Sequence, residues 1–160
     1  MRLNSLIAYL IATFVATMAA ALHAEKGIAA EVEPYMYIGG QANVSDASMG
    51  GVGVIYDGKV DLNITYVSEG NTHWGKHGSM RVTSLSRIVT PGWYDDHFFM
   101  GIGYANVQHT RLVGEHNYHL MVGVQYNWGR IYYSHISDFD IGTNDNTGLD
   151  SINIGLFLGY

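Results

Sequence analysis

The chain of 160 residues contains no cysteine and only 2 Pro, and 14% of its residues are charged, against roughly 25% in an ordinary soluble domain. Without cysteine, the chain forms no disulfide, thiolate metal site or cysteine nucleophile. Its 8 basic and 14 acidic residues give a net charge of −6 and do not supply the basic face that nucleic-acid binding needs, so we predict no nucleic-acid partner. No stretch beyond residue 24 offers about 18 consecutive apolar residues, which predicts no membrane-spanning helix there.

Glycine, tyrosine and apolar residues are abundant instead. The chain holds 20 Gly and 12 Tyr, and 48% of its residues are hydrophobic. The apolar content argues against a disordered acidic chain. A chain rich in glycine and tyrosine and poor in charge also differs from a soluble helical protein.

Residues 1–24 have the features of a secretory signal peptide. Arg2 provides the positive start, an apolar stretch follows, and Ala21 and Ala24 are small residues at candidate cleavage points. The alternative is a retained membrane anchor. We expect removal of this segment to leave one domain over 25–160, and the lack of cysteine suits a bacterial envelope protein.

The rest of the chain alternates with period two, which is the pattern of β-strands. Near the end, Ile152, Ile154 and Leu156 fall on one face, and small or polar residues fall on the other. Asp57-Gly58 joins two such segments and is a strong signal for a tight hairpin.

Eight segments follow this pattern, although the fourth alternates poorly. They span 35–42, 50–57, 59–68, 79–89, 96–106, 116–127, 129–138 and 150–160. Short and long connections alternate between them, as the periplasmic turns and external loops of outer-membrane barrels do. The sequence therefore predicts an all-β fold, an eight-stranded antiparallel transmembrane β-barrel of outer-membrane type.

A candidate catalytic group lies around the last hairpin. His135 and Ser137 are two residues apart on a strand and share a face, and Asp150 opens the next antiparallel strand. A serine nucleophile, a histidine base and an orienting carboxylate form such a group. Arg130 has the opposite phase and is costly in lipid, so we expect it inside the barrel or at the turn, and the His–Ser pair outside. Alternatively, these residues are only the polar rim of the barrel.

Other motifs predict no cofactor or metal. Gly-x-Gly at 51–53 and 101–103 does not open a helix, which argues against nucleotide binding. His73 and His77 have a spacing that binds metal on a helix, but they lie in a glycine-containing loop. His116 and His119 fall on opposite faces of a strand, and the one in the barrel interior is interpreted as a histidine satisfied by polar neighbours instead of a metal ligand.

The His-x-Ser strand end, the Asn-x-Gly-x-acid motif and the final alternating strand resemble the lipid A 3-O-deacylases, the PagL-like acyloxyacyl hydrolase family. The match covers about 133–160. It implies an eight-stranded outer-membrane barrel that hydrolyses the ester at position 3 of lipid A without a cofactor. It also implies that His135 is the base, Ser137 the nucleophile, Asp150 the orienting acid and Asn146 a loop residue that stabilises the oxyanion.

The chain departs from the family in three respects. Asp138 follows the serine where Asn is common, Asp150 stands where Glu is usual, and the loop is one residue longer. These differences leave reduced activity or an altered substrate open.

The predicted function is thus a lipid A deacylase in the bacterial outer membrane, with lipopolysaccharide as its substrate and the outer leaflet as its environment. One alternative is a non-catalytic barrel with a structural or adhesive role. Another is an outer-membrane acyltransferase, which needs an acyl-holding cavity inside the barrel. The sequence leaves open which acyl chain is removed and whether a homodimer forms.

Overall fold

A computed structural model describes residues 31–42, 47–72, 75–91, 97–108, 113–138 and 148–158. The predicted signal peptide at 1–24 lies outside these residues. Ten strands occur in the described part of the chain. They are β1 (Val32–Gln41), β2 (Ser48–Tyr56), β3 (Val60–Val67), β4 (Gly70–Thr72), β5 (Gly75–His77), β6 (Met80–Val89), β7 (Phe98–Gln108), β8 (His116–Tyr126), β9 (Gly129–Asp138) and β10 (Leu149–Phe157).

Eight of these strands form a closed antiparallel barrel in the order β1-β10-β9-β8-β7-β6-β3-β2. The first and last strands close it, with Tyr35 opposite Phe157 at one end and Gln41 opposite Ser151 at the other. Closure leaves the barrel with no unpaired strand edge. The predicted eight-stranded barrel is confirmed.

The turn between β2 and β3 shows how local sequence sets the strand register. Asp57 and Gly58 both have positive φ, 51° and 61°, and Lys59 N donates to Tyr56 O at 3.0 Å. Two central residues with positive φ define the turn whose twist matches that of antiparallel strands. The hairpin predicted at Asp57-Gly58 is confirmed, and this turn defines what we call the turn end of the barrel.

The opposite end, the loop end, carries the connections after β1, β3, β7 and β9 and includes structure that the sequence pattern missed. The predicted alternation of short and long connections is not strict, because 90–97 at the turn end is longer than 42–47 and 109–115 at the loop end. The predicted loop after β3 contains the short antiparallel pair β4–β5, with Gly70 opposite His77. These strands of three residues are too short to show alternation. The fourth predicted strand, which alternates poorly in sequence, is β6. It alternates regularly between buried and more exposed positions, and Arg81 and Arg87 both lie on its outer face.

The interior combines apolar residues with a buried polar and aromatic cluster. Arg130 and Asp61 form an ion pair with fully buried side chains. The Arg130 guanidinium lies 4.0 Å from the centre of the Tyr35 ring and 4.6 Å from that of Tyr132. Tyr35 Oη also donates to Asp61 Oδ1 at 2.9 Å. The predicted inward position of Arg130 is confirmed.

The outer surface has the reverse character. Large apolar side chains are exposed all around the barrel, including Ile38, Ile102 and Ile152, which are 71%, 59% and 58% exposed. An apolar outside around a polar inside is typical of barrels whose outer face contacts lipid. The part of the chain that the structure describes contains no helix of the length and hydropathy needed to cross a bilayer.

Candidate active site

The register of β9 and β10 places Asp150 directly opposite His135. His135 Nδ1 lies 2.7 Å from Asp150 Oδ1, and the two side chains are 34% and 23% exposed. Both residues lie on the outer face near the loop end. With Nδ1 donating to the carboxylate, Nε2 is the ring nitrogen that can accept a proton.

Ser137 lies on the same outer face, two residues further along β9. Residues with this spacing have Cα atoms about 6.5–7 Å apart, and their side chains point in the same direction. Ser137 is paired with Tyr118 of β8, and His135 with Leu120. The three side chains predicted from the sequence as a catalytic group are therefore on one surface, at the boundary between the apolar band and the loop end.

Gly148 immediately precedes β10, and its backbone has a conformation that favours glycine. It has φ of +65°, a region that residues with a side chain rarely adopt. A Cβ at this position would lie 2.9 Å from His135 Cε1 and 3.4 Å from Ile136 O. The backbone before β10 thus packs closely against the imidazole. Its place in the Asn-x-Gly-x-acid motif could have revealed this role.

Tyr133 is a second neighbour that sequence reasoning did not assign to the site. Its hydroxyl donates to Asp150 Oδ1, the oxygen that also accepts from His135. Tyr133 shares the outer face because it precedes His135 by two residues. The position of Tyr133 on this face was visible in the sequence. Its hydrogen bond to Asp150, however, depends on the register between β9 and β10.

Two further residues come from the family resemblance: Asn146 as a predicted site residue and Asp138 as a departure from the motif. Asn146 lies outside the described residues, so its role in stabilising an oxyanion stays a prediction. Asp138 is described and lies on the inner face, paired with the fully buried Asn117. Its carboxylate is adjacent to Gly114, on the opposite side of β9 from Ser137. The departure from the family at this position therefore does not bring a carboxylate onto the face that carries the serine.

The remaining histidines have separate surroundings. His119 is inside the barrel, with Nδ1 2.9 Å from Ser86 Oγ and Nε2 3.3 Å from Ser134 Oγ. This arrangement agrees with the interpretation of His119 as a satisfied interior residue. His77 Nδ1 contacts Gly78 O at 2.8 Å, and His73 lies outside the described residues. Within the described ranges, no cluster of three or more metal-ligating side chains occurs.

The inward glycines leave room for aromatic rings. A Cβ at Gly51 would lie 2.8 Å from Tyr37 Cζ, and one at Gly53 would lie 2.6 Å from Tyr35 Cε1. A cavity of about 290 Å³ lies at the turn end, with Glu33 in its wall. The space beside these two glycines is therefore filled by the protein itself, and the cavity lies at the opposite end from His135. Neither feature favours the acyltransferase alternative.

Comparisons of the chain with protein-family models, curated proteins and solved structures found no match. The resemblance to lipid A deacylases thus depends on the sequence motifs alone.

Proposed function

We propose that this chain is an exported outer-membrane esterase that removes an ester-linked acyl chain, at position 3, from the lipid A of lipopolysaccharide. The observation that carries the proposal is the 2.7 Å contact between His135 and Asp150 on the outer surface, with Ser137 on the same face. This placement supports an enzyme that meets its substrate in the plane of the membrane.

The cost of these groups is one argument. Ionisable side chains on the lipid-facing surface of a barrel are destabilising, by an amount that depends on depth. A barrel with only a structural role gains little from a His–Asp pair there. An enzyme whose substrate is a lipid needs its reactive groups on that surface.

In the proposed first half-reaction, Ser137 Oγ attacks the ester carbonyl while His135 Nε2 takes the hydroxyl proton. Asp150 accepts a hydrogen bond from Nδ1 and stabilises the imidazolium that forms. The ester C–O bond then breaks, and His135 returns the proton to the sugar oxygen. The products are a deacylated glucosamine hydroxyl and an acyl group bound to Ser137.

In the second half-reaction, His135 removes a proton from water, and the resulting nucleophile attacks the acyl–serine carbonyl. The Ser137–acyl bond breaks, the serine regains its proton, and a free fatty acid leaves. No metal or redox cofactor takes part. Donors such as Asn146 would stabilise the negative oxygen in both steps, as the family resemblance implies.

The surroundings suit an acylated substrate. Leu120 lies beside His135, and Ile131 and Ile152 lie further toward the turn end; these outward side chains are 43%, 43% and 58% exposed. These residues continue the apolar band on which acyl chains of the leaflet lie. Above the pair is the loop end, which by the barrel rule faces the exterior, where the outer leaflet carries lipopolysaccharide.

The test is mass spectrometry of lipid A from cells that produce the wild-type chain or its Ser137→Ala variant. Ser134→Ala is the matched control, because this serine lies on the same strand but faces inward and is 4% exposed. We expect loss of one acyl chain with the wild type and the control, and intact lipid A with Ser137→Ala. Identical spectra from wild type and Ser137→Ala would refute the proposal and favour a non-catalytic barrel.

A further inference from the structure

Two tyrosines continue laterally from Ser137 around the outer surface. Ser137 is opposite Tyr118 of β8, and Tyr118 is opposite Tyr104 of β7. Neighbouring strands are about 4.8 Å apart, so the two tyrosine backbones lie about 5 and 10 Å from that of Ser137. Their side chains are 41% and 39% exposed.

His116 joins this pair from the next outward position on β8. Its Nδ1 is hydrogen-bonded to Tyr104 Oη. The two rings are 5.9 Å apart between centroids and inclined by 31°. Tyr104, His116 and Tyr118 together form an exposed aromatic surface beside the nucleophile, which we call the tyrosine platform.

The platform lies on only one side of the catalytic group. On the other side, the outward positions of β10, β1 and β2 nearest the loop end carry no aromatic residue. They are Asp150, Ile152, Ile38, Gly40, Ser48 and Gly50. A complete interfacial ring of tyrosines would continue on every strand. Here the β7–β8 side is aromatic and the β10–β2 side is aliphatic or small, and the next loop-end tyrosine is Tyr66 on β3.

The chemistry of the platform matches a sugar better than an acyl chain. The negative face of an aromatic ring attracts C–H and N–H groups that carry partial positive charge, and tyrosine adds a hydroxyl for hydrogen bonds. A hexose presents C–H groups on one face, and an acylated glucosamine adds an amide N–H. Two rings on neighbouring strands provide contacts for consecutive sugars.

We propose that the tyrosine platform is the subsite for the glucosamine disaccharide of the lipid substrate and that it holds the scissile ester over Ser137. This inference rests on the proposed function, because it places the sugar of the same substrate. It assigns Tyr118 to the sugar next to the ester and Tyr104, supported by His116, to the more distant sugar.

The experiment measures binding separately from hydrolysis. The Ser137→Ala protein is purified in detergent micelles, and native mass spectrometry measures the fraction that carries a bound lipid. Purified lipid A is the probe, and phosphatidylglycerol, which has no sugar, is the comparison lipid. Tyr118→Ala and Tyr104→Ala are added one at a time. Tyr66→Ala is the matched control, because Tyr66 is a loop-end tyrosine on distant β3 with 51% exposure.

We expect each platform substitution to raise the Kd for lipid A about fivefold, the effect of losing one aromatic contact, and to leave phosphatidylglycerol binding unchanged. Tyr118→Phe should retain most of the affinity, since the ring remains. The inference is overturned if Tyr66→Ala weakens lipid A binding as much as the platform variants do, or if none of them changes it. If the platform variants behave as expected while the wild type leaves lipid A intact, the subsite stands and the esterase proposal fails.

Discussion

Two pairs, each of one basic side chain and one carboxylate, join different strands of the barrel. The pair inside the barrel and the pair on its outer face differ in burial and in their neighbours. Arg130 and Asp61 are fully buried, and tyrosines surround them with rings and hydroxyl groups. His135 and Asp150 are partly exposed on the face that is otherwise apolar, and Tyr133 is the neighbour that donates to their carboxylate.

The difference separates a pair that holds the fold together from a pair placed for chemistry. Loss of one partner of a buried pair leaves an uncompensated charge with no access to water. The outer pair is only partly exposed and lies on a surface where ionisable groups do not stabilise the barrel, so we expect loss of one partner to cost little stability. The comparison therefore predicts that interior substitutions change unfolding, whereas substitutions around the outer pair change the rate of deacylation.

The largest expected effect is on the interior pair. Arg130→Met leaves the Asp61 carboxylate buried without its partner and should lower the free energy of unfolding by about 3–5 kcal/mol. Urea unfolding of the barrel in micelles, followed by tryptophan fluorescence, measures this change. Arg87→Met is the control, because Arg87 is exposed on the outer face. Equal stability of the two variants would show that the interior pair is not a main source of stability.

The next effect concerns the backbone beside the outer pair. Gly148→Ala introduces a side chain at positive φ and against His135 Cε1, which displaces the imidazole. A displacement of about 1 Å can cost on the order of 100-fold in rate, and we expect a fall in kcat of that size. The readout is fatty acid released from lipid A in micelles.

Gly58→Ala is the control that separates backbone strain at positive φ from steric contact with His135. Gly58 also has positive φ, but a Cβ at this position would have no atom within 4 Å. The variant should lose stability and keep its specific activity. If Gly148→Ala keeps full activity as well, the close packing of Gly148 has no role in positioning His135.

The smallest effect is expected at Tyr133. Tyr133→Phe removes one hydrogen bond to Asp150 and keeps the ring on the surface. A hydrogen bond to a charged group contributes at least about 1.5 kcal/mol, and because this site is partly exposed we take that lower value. We therefore expect kcat to fall about tenfold with KM unchanged. Steady-state kinetics on lipid A measures both constants, with Tyr66→Phe as the control. A change confined to KM would instead place Tyr133 in substrate binding.

The sequence predicted the barrel because its period-two pattern extends over long strands and its turns carry specific residues such as Asp57-Gly58. It also predicted that His135 and Ser137 lie on the outer face, since Arg130 indicated the phase of β9. These inferences depend on local spacing and on the cost of charge in lipid. Both are visible in one strand at a time.

Other features depend on relations between strands that spacing does not reveal. The bond from Tyr133 to Asp150 follows from the register of β9 and β10, and the row from Ser137 to Tyr104 follows from the register of β7, β8 and β9. The pair β4–β5 is too short for any pattern. The contact between Tyr35 and Arg130 depends on barrel closure. Tyr35 is on β1 and Arg130 on β9, and the two strands come close only because β1 pairs with β10.

The most direct test of the account compares Asp150→Asn with Asp61→Asn in the same micelles, with deacylation rate and free energy of unfolding both measured. We expect Asp150→Asn to lose on the order of 1,000-fold or more in rate with little change in stability. We expect Asp61→Asn to lose several kcal/mol of stability, with the protein that remains folded still active. An Asp150→Asn variant that deacylates lipid A at the wild-type rate would contradict the account.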